Sequence, residues 1–154
     1  MPKPPSSPPG PCALRPYLIV RGAARAIEFY IKAFGARELI RLSEPDGKVG
    51  HAELAIGNAT FMLADEYPDF GALSPHSVGG SPVKLHLEVE NADAAIKQAE
   101  EAGATVLRAV KDQFHGDRSG MILDPFGHSW FLAARIEDVS PAEMQRRFTA
   151  GLTA

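Results

Sequence analysis

An internal repeat constrains the fold of this 154-residue chain more than any other feature of the sequence. Residues 15–20 (Arg-Pro-Tyr-Leu-Ile-Val) recur as residues 84–89 (Lys-Leu-His-Leu-Glu-Val), and residues 34–39 recur in the same order as residues 102–107. Two copies of one unit predict two similar half-sheets that share one core. A groove between two such halves is a ready place for a ligand.

The composition fits one compact domain that has no nucleic-acid or membrane partner. Hydrophobic residues make up 45% of the chain, which is enough to bury a sizeable core. The net charge of −3 provides no basic footprint for nucleic acid or an anionic membrane. No apolar run approaches the roughly 20 residues that span a bilayer. The single cysteine, Cys12, excludes an internal disulfide and fits a reducing compartment, so we expect a cytoplasmic protein.

The domain boundaries follow from a proline-rich N-terminus and from the repeat. Six of the first eleven residues are proline, a composition that favours disorder over a packed core. The segment between the repeats is rich in Gly, Pro and Ser, and a connection of that length is typical of a functional loop or a lid. We predict a disordered tail over residues 1–13, a single domain over residues 14–137 (first module about 14–66, linker 67–81, second module about 82–137), and a C-terminal helix and tail over residues 138–154.

Each module is predicted to contain a strand, a helix and three further strands (βαβββ), which places the fold in the α+β class. Gly35 and Gly103 end the two helices, Asn91 caps the second one, and Gly57-Asn58 forms a tight hairpin. Ser140-Pro-Ala-Glu143 is a capping box that starts a C-terminal helix. The predicted strands cover residues 17–20, 38–42, 49–56, 60–64, 83–89, 105–110, 118–123 and 129–134, and the predicted helices cover residues 23–34 and 92–102.

Alternation along the strands predicts which side chains face the core, because successive side chains of a strand point to opposite sides. In residues 83–89 the odd-numbered positions are apolar, starting with Val83, and the even-numbered positions are Lys, His and Glu. The same rule places Leu54 in the core and Glu53 on the polar face. It also places Trp130 in the core, where we expect it to pack rather than to stack on a ligand.

We predict that the sheets curl together into one mixed sheet around a concave cavity, with the helices on the outer face. The polar strand faces then line that cavity. Mixed polar and apolar side chains suit a small, partly apolar ligand, and the ionisable Glu53 and His86 are the candidate catalytic acid–base groups. The predicted ligand-binding residues are Arg15, Tyr17, His51, Met62, Lys84, Glu88 and Phe131.

Two further polar residues, His115 and Asp117, lie between predicted strands. They can either reach a ligand or hold a loop in place through the neighbouring Arg118. The sequence favours the structural interpretation, because loop polar groups commonly fix their own backbone.

Short motifs inside the repeated units give the chain a family resemblance. With these motifs, residues from about 15 to 138 resemble the vicinal oxygen chelate superfamily, which includes glyoxalase I, extradiol dioxygenases and bleomycin-resistance proteins. The PhnB-like branch is the most similar. The motifs are Ala26-Ile-Glu-Phe-Tyr30, Phe34-Gly35, Asp124-Pro-Phe-Gly127, Pro16-Tyr-Leu18, Gly50-His-Ala-Glu53, Met62-Leu-Ala-Asp65 and Gln113-Phe-His-Gly-Asp-Arg-Ser-Gly120.

The resemblance implies where a metal would bind. The metal enzymes of the superfamily place one ligand on the first strand and a Glu on the last strand of each module. Carried over by position, these four places fall at or near Arg15, Met62, Lys84 and Phe131. None of the four is a ligand that a divalent cation prefers. The resemblance therefore favours a protein without a cofactor that binds a small aromatic or drug-like molecule in a metal-free cavity.

An enzyme remains the alternative. His51, Glu53, His86 and Glu88 could hold a divalent metal such as Zn, Ni, Mn or Fe. The reaction would then be that of a lyase, an isomerase or a dioxygenase. In a metal-independent variant, Glu53 or His86 would act as the base. The resemblance also implies a homodimer whose cavity combines residues of two subunits.

Overall fold

The computed structural model describes residues 13–152 and confirms the α+β class with two tandem βαβββ modules. Of the predicted N-terminal tail, all but Ala13 lies outside the described residues. A short 3-10 turn, Pro68–Phe70, lies between the modules. The strands are β1 (Tyr17–Val20), β2 (Arg37–Ser43), β3 (Val49–Ile56), β4 (Ala59–Asp65), β5 (Lys84–Glu88), β6 (Thr105–Asp112), β7 (Asp117–Leu123) and β8 (Ser129–Arg135). The helices are α1 (Ala23–Phe34), α2 (Pro75–Val78), α3 (Ala92–Ala102) and α4 (Pro141–Leu152).

The strands build two four-stranded mixed sheets with the same topology. The strand order is β1-β4-β3-β2 in the first module and β5-β8-β7-β6 in the second. In both sheets, the strands that come first and last in the chain (β1 with β4, and β5 with β8) pair in parallel. The remaining pairs are antiparallel. The predicted tight hairpin at Gly57-Asn58 is confirmed, because Ile56 pairs with Ala59 and Leu54 pairs with Phe61. The shared strand order shows that the repeat in the sequence is a repeat in the fold.

Local signals explain where α1 begins and ends and where α3 begins. At the start of α1, a carboxylate oxygen of Asp65 accepts from the backbone N–H groups of Gly22 and Ala23, each at 2.9 Å. Asn91 caps α3 as predicted, since its Oδ1 accepts from the backbone N–H of Ala94 at 3.0 Å. Gly35 ends α1 in the left-handed conformation (φ 67°), which favours glycine.

Aromatic side chains join the two modules in one core. The helices α1 and α3 contact each other, and each covers the apolar face of its own sheet. Trp130 of the second module lies 4.7 Å from the Phe34 ring and 5.9 Å from the Phe61 ring of the first, measured between ring centroids. Trp130 is 4% exposed, so the prediction that it packs in the core is confirmed. The opposite, polar face of each sheet is not covered by these helices.

The prediction that Val83 lies in the core is wrong. Val83 is 61% exposed, and β5 begins one residue later, at Lys84. Pairing of β5 with β8 starts at Lys84 and Ser129, so no neighbouring strand holds Val83 against the core. The next two apolar residues of this strand, Leu85 and Leu87, are half-buried against the core as predicted.

The connection between the modules packs against both of them. Backbone and side-chain groups of Ser74 and Ser77 donate to the Glu66 carboxylate at 2.8 to 3.0 Å. Hydrogen bonds from Ser74 and Ser77, together with the nearby Arg21 guanidinium, lower the pKa of Glu66 to about 2. His76 Nε2 lies 3.0 Å from the backbone oxygen of Pro125 in the second module. These contacts give the connection a defined path, while its role as a functional loop or lid stays a hypothesis.

The C-terminal helix α4 packs against the turn between β6 and β7. Its first turn is capped by Ser140, whose Oγ accepts from the backbone N–H of Glu143 at 3.2 Å. Arg147 donates to the backbone oxygen of Phe114 at 3.1 Å, and the Phe148 and Phe114 rings lie 5.7 Å apart. Of the helices in residues 13–152, none has the length and apolarity that crossing a bilayer requires.

Candidate functional site

A chain of polar contacts lies on the polar face of the first module. The Tyr17 hydroxyl and His51 Nδ1 are 2.8 Å apart, and His51 Nε2 lies 3.6 Å from a carboxylate oxygen of Glu53. Arg15 donates to the same Glu53 oxygen at 3.4 Å. Partial burial, and then the negative charge of Glu53, raises the pKa of Tyr17 above its usual value. Tyr17 therefore stays a neutral phenol at physiological pH.

The strand register brings Met62 into the middle of this face. Met62 pairs with Tyr17 of the parallel strand β1 and with Glu53 of the antiparallel strand β3. Paired residues on neighbouring strands share a face. Arg15, Tyr17, His51, Glu53 and Met62, five of the predicted site residues, therefore lie together on the first module.

The polar face of the second module has the same arrangement of paired residues, with other side chains. Phe131 pairs with His86 on β5 and with Met121 on β7. The ring centroids of His86 and Phe131 lie 6.3 Å apart, and Lys84 Nζ is 5.7 Å from the centroid of the Phe131 ring. By position in the duplicated sheets, His86 corresponds to Tyr17 and Phe131 corresponds to Met62.

A buried carboxylate, Asp117, lies beside His86. It is 8% exposed, and its oxygens lie 2.9 Å from Arg135 Nε, 3.8 Å from His115 Nδ1 and 4.0 Å from His86 Nε2. The sequence favoured a loop role for Asp117 and His115, whereas the structure groups them with a predicted site residue. The signal was alternation along β7, since Asp117 lies on the same face as Met121 once the strand is extended by one residue.

The polar face of the second module contains a cavity of about 550 Å³. This volume lies in the range of small-molecule sites. His86 and Phe131 are the predicted site residues that line it. His115, which the sequence identifies as able to reach a ligand, also lines it. The other lining residues were not predicted, because they lie on β6, on β7 and in the turn between them, to which no faces were assigned. The lining residues are His86, Arg108, Ala109, Lys111, Gln113, Phe114, His115, Ser119, Gly120 and Phe131.

A single chain does not bring all the predicted site residues together. No residue of the first module lines the 550 Å³ cavity. Glu88, at the end of β5, lines a smaller hollow of about 340 Å³ beside the hairpin at residues 56–59. The apolar faces of the two sheets meet through Phe61 and Trp130, so each polar face lies on the side away from this shared core.

The residues at the implied metal positions do not fit a divalent cation. The implied positions hold Arg15, Met62, Lys84 and Phe131. The register places Tyr17, not Arg15, beside Met62, and His86, not Lys84, beside Phe131. Of these six side chains only His86 is a ligand that a divalent cation prefers, and none is a carboxylate. Within residues 13–152, no group of three or more His, Cys, Asp and Glu side chains is arranged to hold a metal ion.

The alternative metal set is divided between the modules. His51 and Glu53 lie on β3 of the first module, whereas His86 and Glu88 lie on β5 of the second. One ion could bind all four only if a second chain placed its first module over the second module of this chain. This ligand set stays a prediction.

These modules and this site define a known class. Residues 12–132 match the family model of the Glyoxalase/Bleomycin resistance protein/Dioxygenase superfamily, and the chain belongs to that superfamily. Among proteins of known sequence, it is 48% identical over 136 residues to an uncharacterized protein of Mycobacterium tuberculosis strain H37Rv, which covers 86% of this chain and 80% of that protein. An uncharacterized protein of Arabidopsis thaliana is 29% identical over 119 residues, or 71% of this chain and 70% of that protein.

Solved structures show the same fold. The structure of an Arabidopsis thaliana gene product is similar with a TM-score of 0.65 and 28% identity, over 79% of this chain and 98% of that one. TioX from Micromonospora sp. ML1 is similar with a TM-score of 0.62 and 22% identity, over 84% of this chain and 100% of that one. A PhnB protein from Bacillus cereus is similar with a TM-score of 0.60 and 19% identity, over 79% of this chain and 98% of that one. The last two likenesses concern the fold alone.

Proposed function

We propose that this protein binds a small aromatic or drug-like molecule, without a metal, on the polar face of its second module. The observation that carries the proposal is the cavity of about 550 Å³ whose lining includes the rings of Phe131 and Phe114. Small-molecule sites are concave and combine aromatic side chains with a few polar groups that set orientation. The cavity supplies both kinds of group.

The Phe131 ring is the centre of the proposed site. It is half-buried, with Lys84 Nζ 5.7 Å from its centroid and the His86 ring 6.3 Å away. Stacked aromatic rings attract each other beyond the area they bury, by about 0.5–1.5 kcal/mol per pair. A flat ligand ring would stack on Phe131, while Lys84 and His86 would contact its polar substituents.

We propose that the working unit is a homodimer whose cavities combine both modules. All seven residues of β2 are exposed, including the apolar Leu39, Ile40 and Leu42. An exposed edge strand that carries apolar side chains favours association with another surface. A partner subunit placed there would bring its second module to the polar face of this first module, adding Arg15, Tyr17, His51 and Met62 to the contacts with the ligand.

An enzyme is the second candidate, and one observation favours it. The contacts Tyr17–His51 (2.8 Å) and His51–Glu53 (3.6 Å) place three groups that can gain or lose a proton next to one another. Glu53 or His86 would be the base, either alone or with a bound metal, in a lyase, an isomerase or a dioxygenase. Metal analysis of the purified protein separates the two forms, and unchanged activity in Glu53→Gln and His86→Gln would exclude both residues as the base.

A thermal-shift screen with flat aromatic compounds tests the proposed binding function. A ligand that binds only the folded protein raises the melting temperature. We expect at least one compound to stabilise the wild type and to lose this effect in Phe131→Ala. Phe70→Ala is the matched control, because Phe70 is 83% exposed in the connection between the modules. Stabilisation of Phe131→Ala equal to that of the wild type, or no stabilising compound in a broad screen, would contradict the proposal.

The cellular setting follows from the sequence. The net charge of −3 and the single cysteine support a cytoplasmic protein without nucleic-acid or membrane partners. Cell fractionation measures this directly, and recovery of the protein in the membrane fraction would contradict the proposed location.

A further inference from the structure

We propose that the ligand is an aromatic anion, whose negative group is held by Arg108 and Lys111 of β6. This inference rests on the proposed function and names the chemical class of the ligand. Phe131 of β8 binds the ring, and the two cations on β6, two strands away in the same sheet, bind a carboxylate or a group of similar charge.

The positive charge of the cavity favours an anionic ligand. Arg108 and Lys111 line it together with His86 and His115, whereas no Asp or Glu is among the lining residues. A concave surface lined by one sign of charge concentrates its field and attracts ligands of the opposite sign. The whole chain has a net charge of −3, so the positive charge is a local property of this cavity.

The two cations of β6 are not already paired. Within residues 13–152, neither Arg108 nor Lys111 forms a salt bridge or a side-chain hydrogen bond, although Arg118 of the same sheet binds Asp93 of α3 at 2.7 Å and Asp112 of β6 at 2.8 Å. Asp93 and Asp112 are thus already paired with Arg118. Two cations of the same cavity remain available for an anion.

The carboxylate beside His86 and His115 does not cancel this charge. Asp117 lies next to the cavity but binds Arg135 at 2.9 Å, and it also faces His115 and His86 at 3.8 and 4.0 Å. Among the described residues, Asp117 forms no salt bridge with Arg108 or Lys111.

An irregularity in β6 brings both cations to the same cavity. Residues three apart on a regular strand point to opposite faces, yet Arg108 and Lys111 line the same cavity. The pairing of β6 with β7 shifts register between Val106 and Arg108 and again between Arg108 and Lys111. Such bulges redirect side chains and are common beside binding sites. Here the bulge brings a second cation to the face that the ring of Phe131 occupies.

Matched pairs of charged and neutral ligands test the inference. Benzoate and naphthoate are titrated calorimetrically into chelator-treated full-length protein, and so are the corresponding amides, which have the same shape without the charge. We expect the wild type to bind the acids about tenfold more tightly than the amides, because hydrogen bonds between charged groups are stronger than neutral ones. This preference should decrease at high salt, which screens partly exposed charges.

Variants assign the preference to the two residues. In the double variant Arg108→Gln/Lys111→Gln, we expect the acids to bind no better than the amides, while the affinity for the amides stays at its wild-type value. Lys32→Gln/Lys97→Gln is the matched control, since it removes two exposed charges from α1 and α3 and should keep the full preference. The retained amide affinity shows that the double variant is folded.

The outcomes separate this inference from the proposed function. Equal binding of acids and amides by the wild type overturns the anion site and leaves the aromatic cavity standing. A preference that survives in Arg108→Gln/Lys111→Gln also overturns it. Failure of both acids and amides to bind contradicts the aromatic cavity itself, and the anion site with it.

Discussion

Asp124 forms hydrogen bonds at both of its carboxylate oxygens, and one of these oxygens joins the two modules. One oxygen accepts from the Tyr30 hydroxyl of α1 at 2.6 Å and from Trp130 Nε1 at 2.9 Å. The other accepts from the backbone N–H groups of Phe126 and His128 at 2.9 and 3.0 Å. Burial, and then the neighbouring carboxylate, raises the pKa of Tyr30 well above its usual value, so Tyr30 remains a hydrogen-bond donor.

Removing this carboxylate should destabilise the protein strongly. We expect Tyr30→Phe to lower the free energy of unfolding by about 1–2 kcal/mol, since one buried hydrogen bond is lost. Asp124→Ala should lower it by about 3 kcal/mol or more, because two buried side-chain donors lose their acceptor. Urea unfolding followed by the fluorescence of the single tryptophan measures both. The exposed Asp138→Ala is the control, and an equal effect of Asp124→Ala and Asp138→Ala would contradict this role.

At the scale of elements, Gly116 fixes the turn between β6 and β7 that carries Phe114 and His115 into the cavity. Its backbone oxygen accepts from Ile136 and Glu137, at 2.9 and 3.1 Å, in the segment that follows β8. Gly116 has φ +102°, a conformation that favours glycine, and a Cβ at this position would collide with the backbone oxygen of Glu137. A side chain at residue 116 therefore requires the backbone to move.

The comparison of two glycines tests this close packing. Gly47 has a similar φ, +89°, but no atom lies within 4 Å of a Cβ built there. We expect Gly47→Ala to show only the backbone penalty of about 1 kcal/mol. Gly116→Ala should lower the free energy of unfolding by roughly 2 kcal/mol more, because the chain must also move to relieve the collision. Equal unfolding energies for the two variants would show that the turn adapts freely.

Local signals were enough to predict most elements. The glycine at the end of α1 and the hairpin at Gly57-Asn58 gave the bounds of α1 and β3 correctly. The site was harder to predict, because its chemistry depends on pairing between distant strands. The bulges that bring Arg108 and Lys111 to one cavity exist only in the pairing of β6 with β7. Periodicity within one strand does not contain that information.

At the scale of the whole molecule, the first module exposes apolar side chains at the edge of its polar face. Ile40 pairs with Glu53 and Leu42 pairs with His51, so both apolar side chains extend the polar face of that module. Ile40 is 41% exposed and Leu42 is 55% exposed. A partner subunit that covers this edge would bury both and would complete the site around His51 and Glu53.

A charge placed on this edge should break the proposed dimer. We expect the wild type to have the mass of two chains in solution, and Leu42→Glu to have the mass of one, since a buried unpaired carboxylate opposes association. Val78→Glu, at the exposed end of α2, is the matched control and should remain dimeric. Light scattering coupled to size-exclusion chromatography measures the mass. A wild type with the mass of one chain would contradict the shared cavity.

Calorimetric titration of chelator-treated protein with flat aromatic compounds tests the central proposal most directly. We expect saturable binding at micromolar concentrations or tighter, with one site per chain. The affinity should not change when Zn, Ni, Mn or Fe is added back, because Arg15, Met62, Lys84 and Phe131, at the implied metal positions, are not ligands that these ions prefer. Binding that appears only after a metal is restored, or no binding by the metal-free protein, would contradict a metal-free cavity for an aromatic ligand.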